Sequence, residues 1–272
     1  MMKTAARLLF PFLVFLAGHA GAQVAFVSDV KGTVQAEGAP APALLSELPS
    51  GARLRLAADA TVSVMYAASG REFVLKGPGE YEIRDQEVAA RNGAPPRARN
   101  TEWRPDTRVL AAASQRSAAS VRMRSLARPE PKATNAAFPT EGAVATLQPV
   151  FRWEGAMPAD FEILTEGREA PVHQAKAAGG AYRLPVKLEP GRDYYWRATT
   201  NGDELGSGRF RTLAPDALQR VEGRRPGAKA EFSDRLMFAL LLQDVGATQE
   251  AHELWTALGK ERAGLPDLPG VR

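Results

Sequence analysis

Between Val24 and Ala90 apolar side chains recur at every second position, and turn residues cut the runs every few positions. An extended chain can bury that pattern and a helix cannot. Val24, Phe26 and Val34 lie around the Lys31-Gly32 turn, Leu54 and Leu56 alternate with arginine in RLRLA, and Val62, Val64 and Tyr66 hold one side of TVSVMY. Ser69-Gly70 and Gly77-Pro78-Gly79 turn the chain into Phe73 and Leu75, and then into Tyr81 and Ile83. Successive strand side chains point to opposite faces, so the expected product over residues 23–90 is a small antiparallel roll or sandwich, one sheet face buried and the other wet.

The start of the chain bears on its compartment. Lys3 and Arg7 frame a positive start, Leu8–Ala17 is an apolar run of ten, and Ala20-Gly21-Ala22 offers a small-residue cleavage site before Gln23. Residues 1–22 are expected to be a secretory signal peptide. Ten apolar residues interrupted by Pro11 fall short of the roughly 20 that cross a bilayer, and the longest later run, Leu236–Leu242, has only seven. No transmembrane anchor is therefore expected after cleavage, and the location is expected to be periplasmic or secreted. The chain has no cysteine. Disulfides, thiolate metal sites, a Cys nucleophile and a lipid-modified Cys are excluded, so the fold must rest on packing alone.

The net charge of +4 is unevenly spread. Residues 91–137 hold ten Arg or Lys against three acids, with Pro95, Pro96, Pro105, Pro129 and Pro131 punctuating them. Residues 91–138 read as a basic linker with at most one short helix, over residues 106–126. A basic stretch invites a polyanion or anionic lipid surface, and Arg122, Arg124 and Arg128 are the candidate partner contacts. A solvated connector is the simpler reading. Nucleic acid is not expected, because Trp103 is the only aromatic in the stretch before Phe138 and a stacking platform needs several.

Strand alternation returns over residues 139–214. Phe151 and Trp153 fit an early core strand and Gly208-Arg209-Phe210-Arg211-Thr212 a last one. In Leu188-Glu189-Pro190-Gly191-Arg192-Asp193-Tyr194-Tyr195-Trp196-Arg197-Ala198, alternation puts Tyr194, Trp196 and Ala198 inward and Tyr195 and Arg197 outward. Over residues 215–272 the period changes. Phe232, Leu236, Met237, Leu240 and Leu241 form a helical stripe with Ser233 or its neighbours as cap, Gly246 ends that helix, and Ala251, Leu254, Trp255 and Leu258 form the face of a second. A lone hairpin of this tetratricopeptide-like kind cannot bury its own face, so it must dock on the sandwich, on another copy or on a partner.

Two resemblances follow from these residues. KGTV followed by LPSGARLRLAADATVSVMYAASGREFVLKGPGEYEI resembles the FecR domain of bacterial envelope proteins, over about 65 residues. That family's best-known members relay a signal from an outer-membrane transporter through a membrane segment, and a cleaved leader would leave no such route here. The Leu188–Arg197 stretch resembles the fibronectin type III signature. That resemblance implies a tyrosine corner at Tyr194, its ring buried and its hydroxyl bonded to upstream backbone. The expected fold class is mainly β: a FecR-like roll and a fibronectin III-like sandwich joined by a basic linker, plus a C-terminal helical hairpin.

Catalytic patterns are absent from the sequence. It holds no G-x-S-x-G elbow, no glycine-rich phosphate loop and no H-E-x-x-H. His173 and His252 are isolated, and Glu80 with Glu82 reads as a solvated strand face rather than a glycosidase pair. No catalytic residue, cofactor or metal is expected. Tyr195 and Trp103 are the outward aromatic candidates for a sugar platform. The expected function is that of an exported non-enzymatic module that binds or scaffolds envelope proteins. The alternatives are a glycan or peptidoglycan binder, or an accessory to an envelope signalling or transport complex.

Overall fold

The computed structural model describes residues 23–101, 103 and 137–262, and these form a mainly antiparallel β protein with three C-terminal helices. The expected leader, the possible helix over 106–126 and Arg122, Arg124 and Arg128 lie outside the described residues.

The first nine strands build two sheets. One has the order β3(Glu47–Pro49), β1(Gln23–Lys31), β5(Thr61–Met65), β6(Arg71–Lys76), β9(Arg97–Asn100), and the other β2(Val34–Ala36), β4(Arg53–Leu56), β7(Gly79–Ile83), β8(Val88–Asn92). Leu54, Leu56, Val62, Val64, Tyr66, Phe73, Leu75, Tyr81 and Ile83, read from the alternation, fill the space between them together with Val27, which the reading did not name.

Alternation describes only one face of the first sheet. Ser28, Ser63, Met65 and Glu72, on the face the pattern left to water, are buried as well, and Phe26, expected on the inter-sheet face, packs on that second face instead while Val27 takes the inner position. The cover comes from distant chain: Phe26 and Met65, with Leu44 and Leu45, join one hydrophobic cluster with Leu236, Met237, Leu240, Trp255 and Leu258.

Those residues belong to α2(Phe232–Asp244) and α3(Thr248–Glu261), preceded by α1(Pro215–Glu222). The sequence reading expected two helices. The sequence does not show α1, because eight residues starting on Pro215 bury only Leu218 and Val221, too few to show a period. It also gave α2 one apolar stripe, whereas Phe238, Ala239 and Leu242 are buried too, as expected of a helix covered on most sides. Ser233 lies inside α2 rather than capping it, and Glu231 stands at the N-cap with no side-chain cap bond.

The boundary at Ala90 also moves. β8 runs to Asn92, and β9 pairs with β6 through Arg71↔Asn100, Glu72↔Arg99, Phe73↔Ala98 and Val74↔Arg97. The RARN sequence of β9 carries no apolar alternation, so this edge strand is held by its ladder and by Arg99. The Arg99 guanidinium reaches buried Glu72 on one side and Asp234 and Ser233 of α2 on the other, the last two at 3.0 and 2.7 Å, while Ser28 Oγ donates to Glu72 at 2.6 Å. Burial disfavours the charge on Arg99, but these two carboxylates outweigh it and hold the guanidinium charged.

The remaining strands are β10(Ala143–Val144), β11(Val150–Arg152), β12(Ala159–Thr165), β13(His173–Ala177), β14(Ala181–Arg183), β15(Asp193–Thr200) and β16(Asp203–Thr212). They pair as β10-β16-β15-β12-β13 and, separately, β11-β14. Between them lie Phe151, Trp153, Phe161, Ile163, Tyr194, Trp196 and Phe210. Trp196 is fully buried and donates its indole N–H to Pro139 O at 2.6 Å. Gly208 allows that crossing, since a Cβ there would fall 2.2 Å from the Pro139 carbonyl oxygen. Glu189 donates its backbone N–H to the Tyr194 hydroxyl at 3.0 Å, the upstream bond expected at that tyrosine.

The helices fasten to this half as well. Ala143 N–H donates to Gly246 O at 3.1 Å, and Ala145 N–H to Glu250 Oε2 at 2.8 Å. The Ala145 carbonyl accepts from Arg225 Nη2 at 2.9 Å, and Gln249 bridges Thr140 N–H and Ala137 O at 3.0 and 3.1 Å. At the far end of α3 Arg262 grips Asp29 of β1 at 2.7 and 3.1 Å. One helix pair therefore packs on the first sheet and on the β10 segment together.

Candidate functional site

The register of three strands sets the candidate site. β12, β15 and β16 lie side by side with Leu164, Tyr195 and Arg209 in one cross-strand row and Asp193 opposite Arg211 in the next. Tyr194, Trp196 and Phe210 use the inward positions of β15 and β16, which leaves Tyr195, Arg209 and Arg211 on the other face. The 140–143 segment adds a wall, its carbonyls accepting from the edge of β16: Arg209 N–H to Thr140 O at 3.1 Å and Arg211 N–H to Gly142 O at 2.9 Å. Gly246 of the helical pair closes that end. The result is an open groove of about 930 Å³ crossing the sheet, with Tyr195, Leu164 and Ala143 as its apolar lining and Glu141, Glu166, Asp193, Arg209 and Arg211 as its charged groups.

The charges differ in how they are used. Arg211 and Asp193 form a two-pronged pair, which holds the carboxyl below the usual range and raises the guanidinium. Thr165 Oγ1 fixes that end of β15 by donating to Asp193 O at 2.9 Å. Beside the groove Arg197 is paired with Glu162. Arg209, Glu141 and Glu166 are exposed and have no ion-pair partner among the described residues. Among the described residues one unpaired cation and two unpaired carboxylates thus surround a half-buried tyrosine.

Of the residues singled out from the sequence, the structure places Tyr195 on this groove. Trp103 is a correction: it is only 8% exposed and packs in the helical cluster, so it forms no platform with Tyr195. Its place in a basic stretch hid that, because the helices that cover it lie over a hundred residues later. Glu80 and Glu82 share the outer face of the second sheet with Arg55 and Arg91, each carboxylate paired with one guanidinium. His173 shares a hydrogen bond of 2.7 Å with the Tyr182 hydroxyl, and His252 is exposed on α3. Among the described residues no three His, Asp or Glu side chains gather as a metal-ligand set, and no helix is long and apolar enough to cross a membrane.

Sequence reasoning missed Arg209 and Glu250. Arg209 stands in GRFRT at an outward position, a signal available from alternation alone. Glu250, in the first turn of α3, reads as an ordinary helix-terminal acid. In the folded chain it is tucked under Ala145, and desolvation raises its pKa to about 7 against the opposing effects of the Ala145 N–H and Arg225.

No known family model matches the chain. No curated protein matches it either.

Proposed function

We propose that this chain is an exported, non-enzymatic binding or scaffolding module of the bacterial envelope. In this reading the first nine strands are a FecR-like domain, the later strands a fibronectin III-like sandwich, and the groove beside Tyr195 the face offered to a partner. The observation that carries it is the double docking of α2 and α3. These helices are covered on one side by Phe26 and Met65 of the first sheet and anchored on the other to Ala143 and Ala145. A molecule braced in this way presents its outer sheet face at a fixed position, which suits recognition.

The strand order β13-β12-β15-β16 facing β11-β14, with the Glu189–Tyr194 bond, supports the sandwich assignment. The turn at Gly77-Pro78-Gly79 between β6 and β7 supports the FecR-like one. Positive charge followed by an apolar run and small residues at the start supports export.

The test pairs two measurements on the chain lacking residues 1–22. Saturable retention on isolated bacterial envelopes, with no turnover of glycan or peptide substrates, is the expected result. A turnover abolished by Glu166→Gln or Glu250→Gln, or no retention at low salt, would overturn the reading.

A further inference from the structure

The dimensions and charges of the groove limit the chemistry it fits. It runs across β12, β15, β16 and the 140–143 segment. Four chain segments about 4.8 Å apart span about 14 Å from first to last, the length of about three sugar rings. A compact metabolite would leave most of that length empty.

Peptide recognition by strand addition needs unpaired backbone. Here the β15 backbone is committed to β12 and β16, and the outer edge of β16 at Arg209 and Arg211 is taken by Thr140 and Gly142. A peptide lying across the face would find side chains only.

A polyanion is opposed by the exposed carboxylates of Glu141 and Glu166, and Arg211 is already neutralised by Asp193. A polycation meets Arg209. What remains complementary is an extended, uncharged ligand with an apolar ring face for Tyr195 and many hydroxyls for the planar acceptors and donors around it. Arg209 offers donors beside the tyrosine, and Glu141 and Glu166 offer acceptors in the same groove.

We propose that this groove binds a neutral oligosaccharide of about three rings, one ring stacked on Tyr195 and the neighbouring hydroxyls hydrogen-bonded by Arg209 and the carboxylates at the groove ends. The proposal rests on the binding-module reading and names its ligand class. It accounts for a half-buried tyrosine held between Leu164 and Arg209 on an otherwise charged sheet face, where packing requires no ring.

The probe is an array of neutral, uronic-acid and sulfated oligosaccharides of two to six rings, followed by titration of the retained tetrasaccharide. Retention of neutral members of three rings or more is expected. Tyr195→Ala is expected to weaken affinity about tenfold, Tyr195→Phe to preserve it because the ring face remains, and Arg209→Ala to weaken it severalfold. Matching thermal midpoints for Tyr195→Phe and the parent keep the comparison free of folding effects. Retention of no neutral oligosaccharide, retention of sulfated members alone, or affinity unchanged in Tyr195→Ala would overturn the assignment. Saturable envelope retention in the same preparation would then leave the binding-module reading standing with a different ligand.

Discussion

The first sheet of the N-terminal half and the β10-β16-β15-β12-β13 sheet of the C-terminal half start from the same alternation and end in different environments. In the first, both faces are dry: Val62 and Val64 meet the second sheet, while Ser63 and Met65 lie on the face that the helices cover. In the second, Tyr194 and Trp196 are buried but Tyr195 and Arg197 stay at the surface beside the groove. Period two states which residues share a face. Whether a second face is covered depends on chain far away in sequence, and here one helix pair supplies the cover for one sheet and leaves Tyr195 and Arg197 of the other at the surface.

One charge placed on each second face should separate the two sheets most strongly. Met65→Asp buries a carboxylate with no partner on the covered face and is expected to cost about 4 kcal/mol or more, whereas Leu164→Asp at the groove should cost about 1 kcal/mol or less. Urea denaturation of both variants measures the difference. Equal losses would mean that the two faces are alike.

Ion pairs give the next contrast. Arg99→Met leaves Glu72, 1% exposed, with only Ser28 to satisfy it, and is expected to cost about 3 kcal/mol. Adding Glu72→Gln to that variant should recover part of the loss. Arg211→Met removes the partner of a fully exposed Asp193, and its denaturation midpoint should match the parent within error.

Glu250 adds a pH signature at the joint between the halves. Its folded pKa of about 7 lies above the ordinary 4.5, so the folded chain holds this proton more tightly than the unfolded one. The stability it contributes is complete below pH 4.5 and is lost as pH rises to about 7, a fall of about 2 to 3 kcal/mol. Denaturation curves between pH 4.5 and 8 should show that fall, and Glu250→Gln, which keeps an acceptor for Ala145 N–H without a charge, should flatten it.

The legible and hidden parts of the molecule divide along the same line. Strands rich in β-branched and aromatic residues, such as TVSVMY and DYYWRATT, declare themselves because local alternation and burial agree. Tyr195 was placed on the outer face for that reason, and the groove lies there. β9 reads as linker because Ala98 is the only apolar residue of RARN, and its pairing with β6 and the Arg99–Glu72 contact make it a strand. Trp103 reads as a surface residue because its neighbours are basic, although it packs in the cluster with α2 and α3. The all-round burial of α2 was visible in the run Leu236–Leu242, but what surrounds that helix was not. The basic cluster of Arg122, Arg124 and Arg128 stays an expectation of the sequence, outside the described residues.

Native-state hydrogen exchange can show whether α2 and α3 join the two halves into one body. Leu236, fully buried in the shared cluster, is changed to Ala, and amide protection is followed in β5, at Ala143 and Ala145, and in the distant strand β13. Protection should fall together in β5 and at Ala143 and Ala145 while β13 keeps its own. Loss confined to β5, or to Ala143 and Ala145, would show that the helices belong to one half only and would contradict the account.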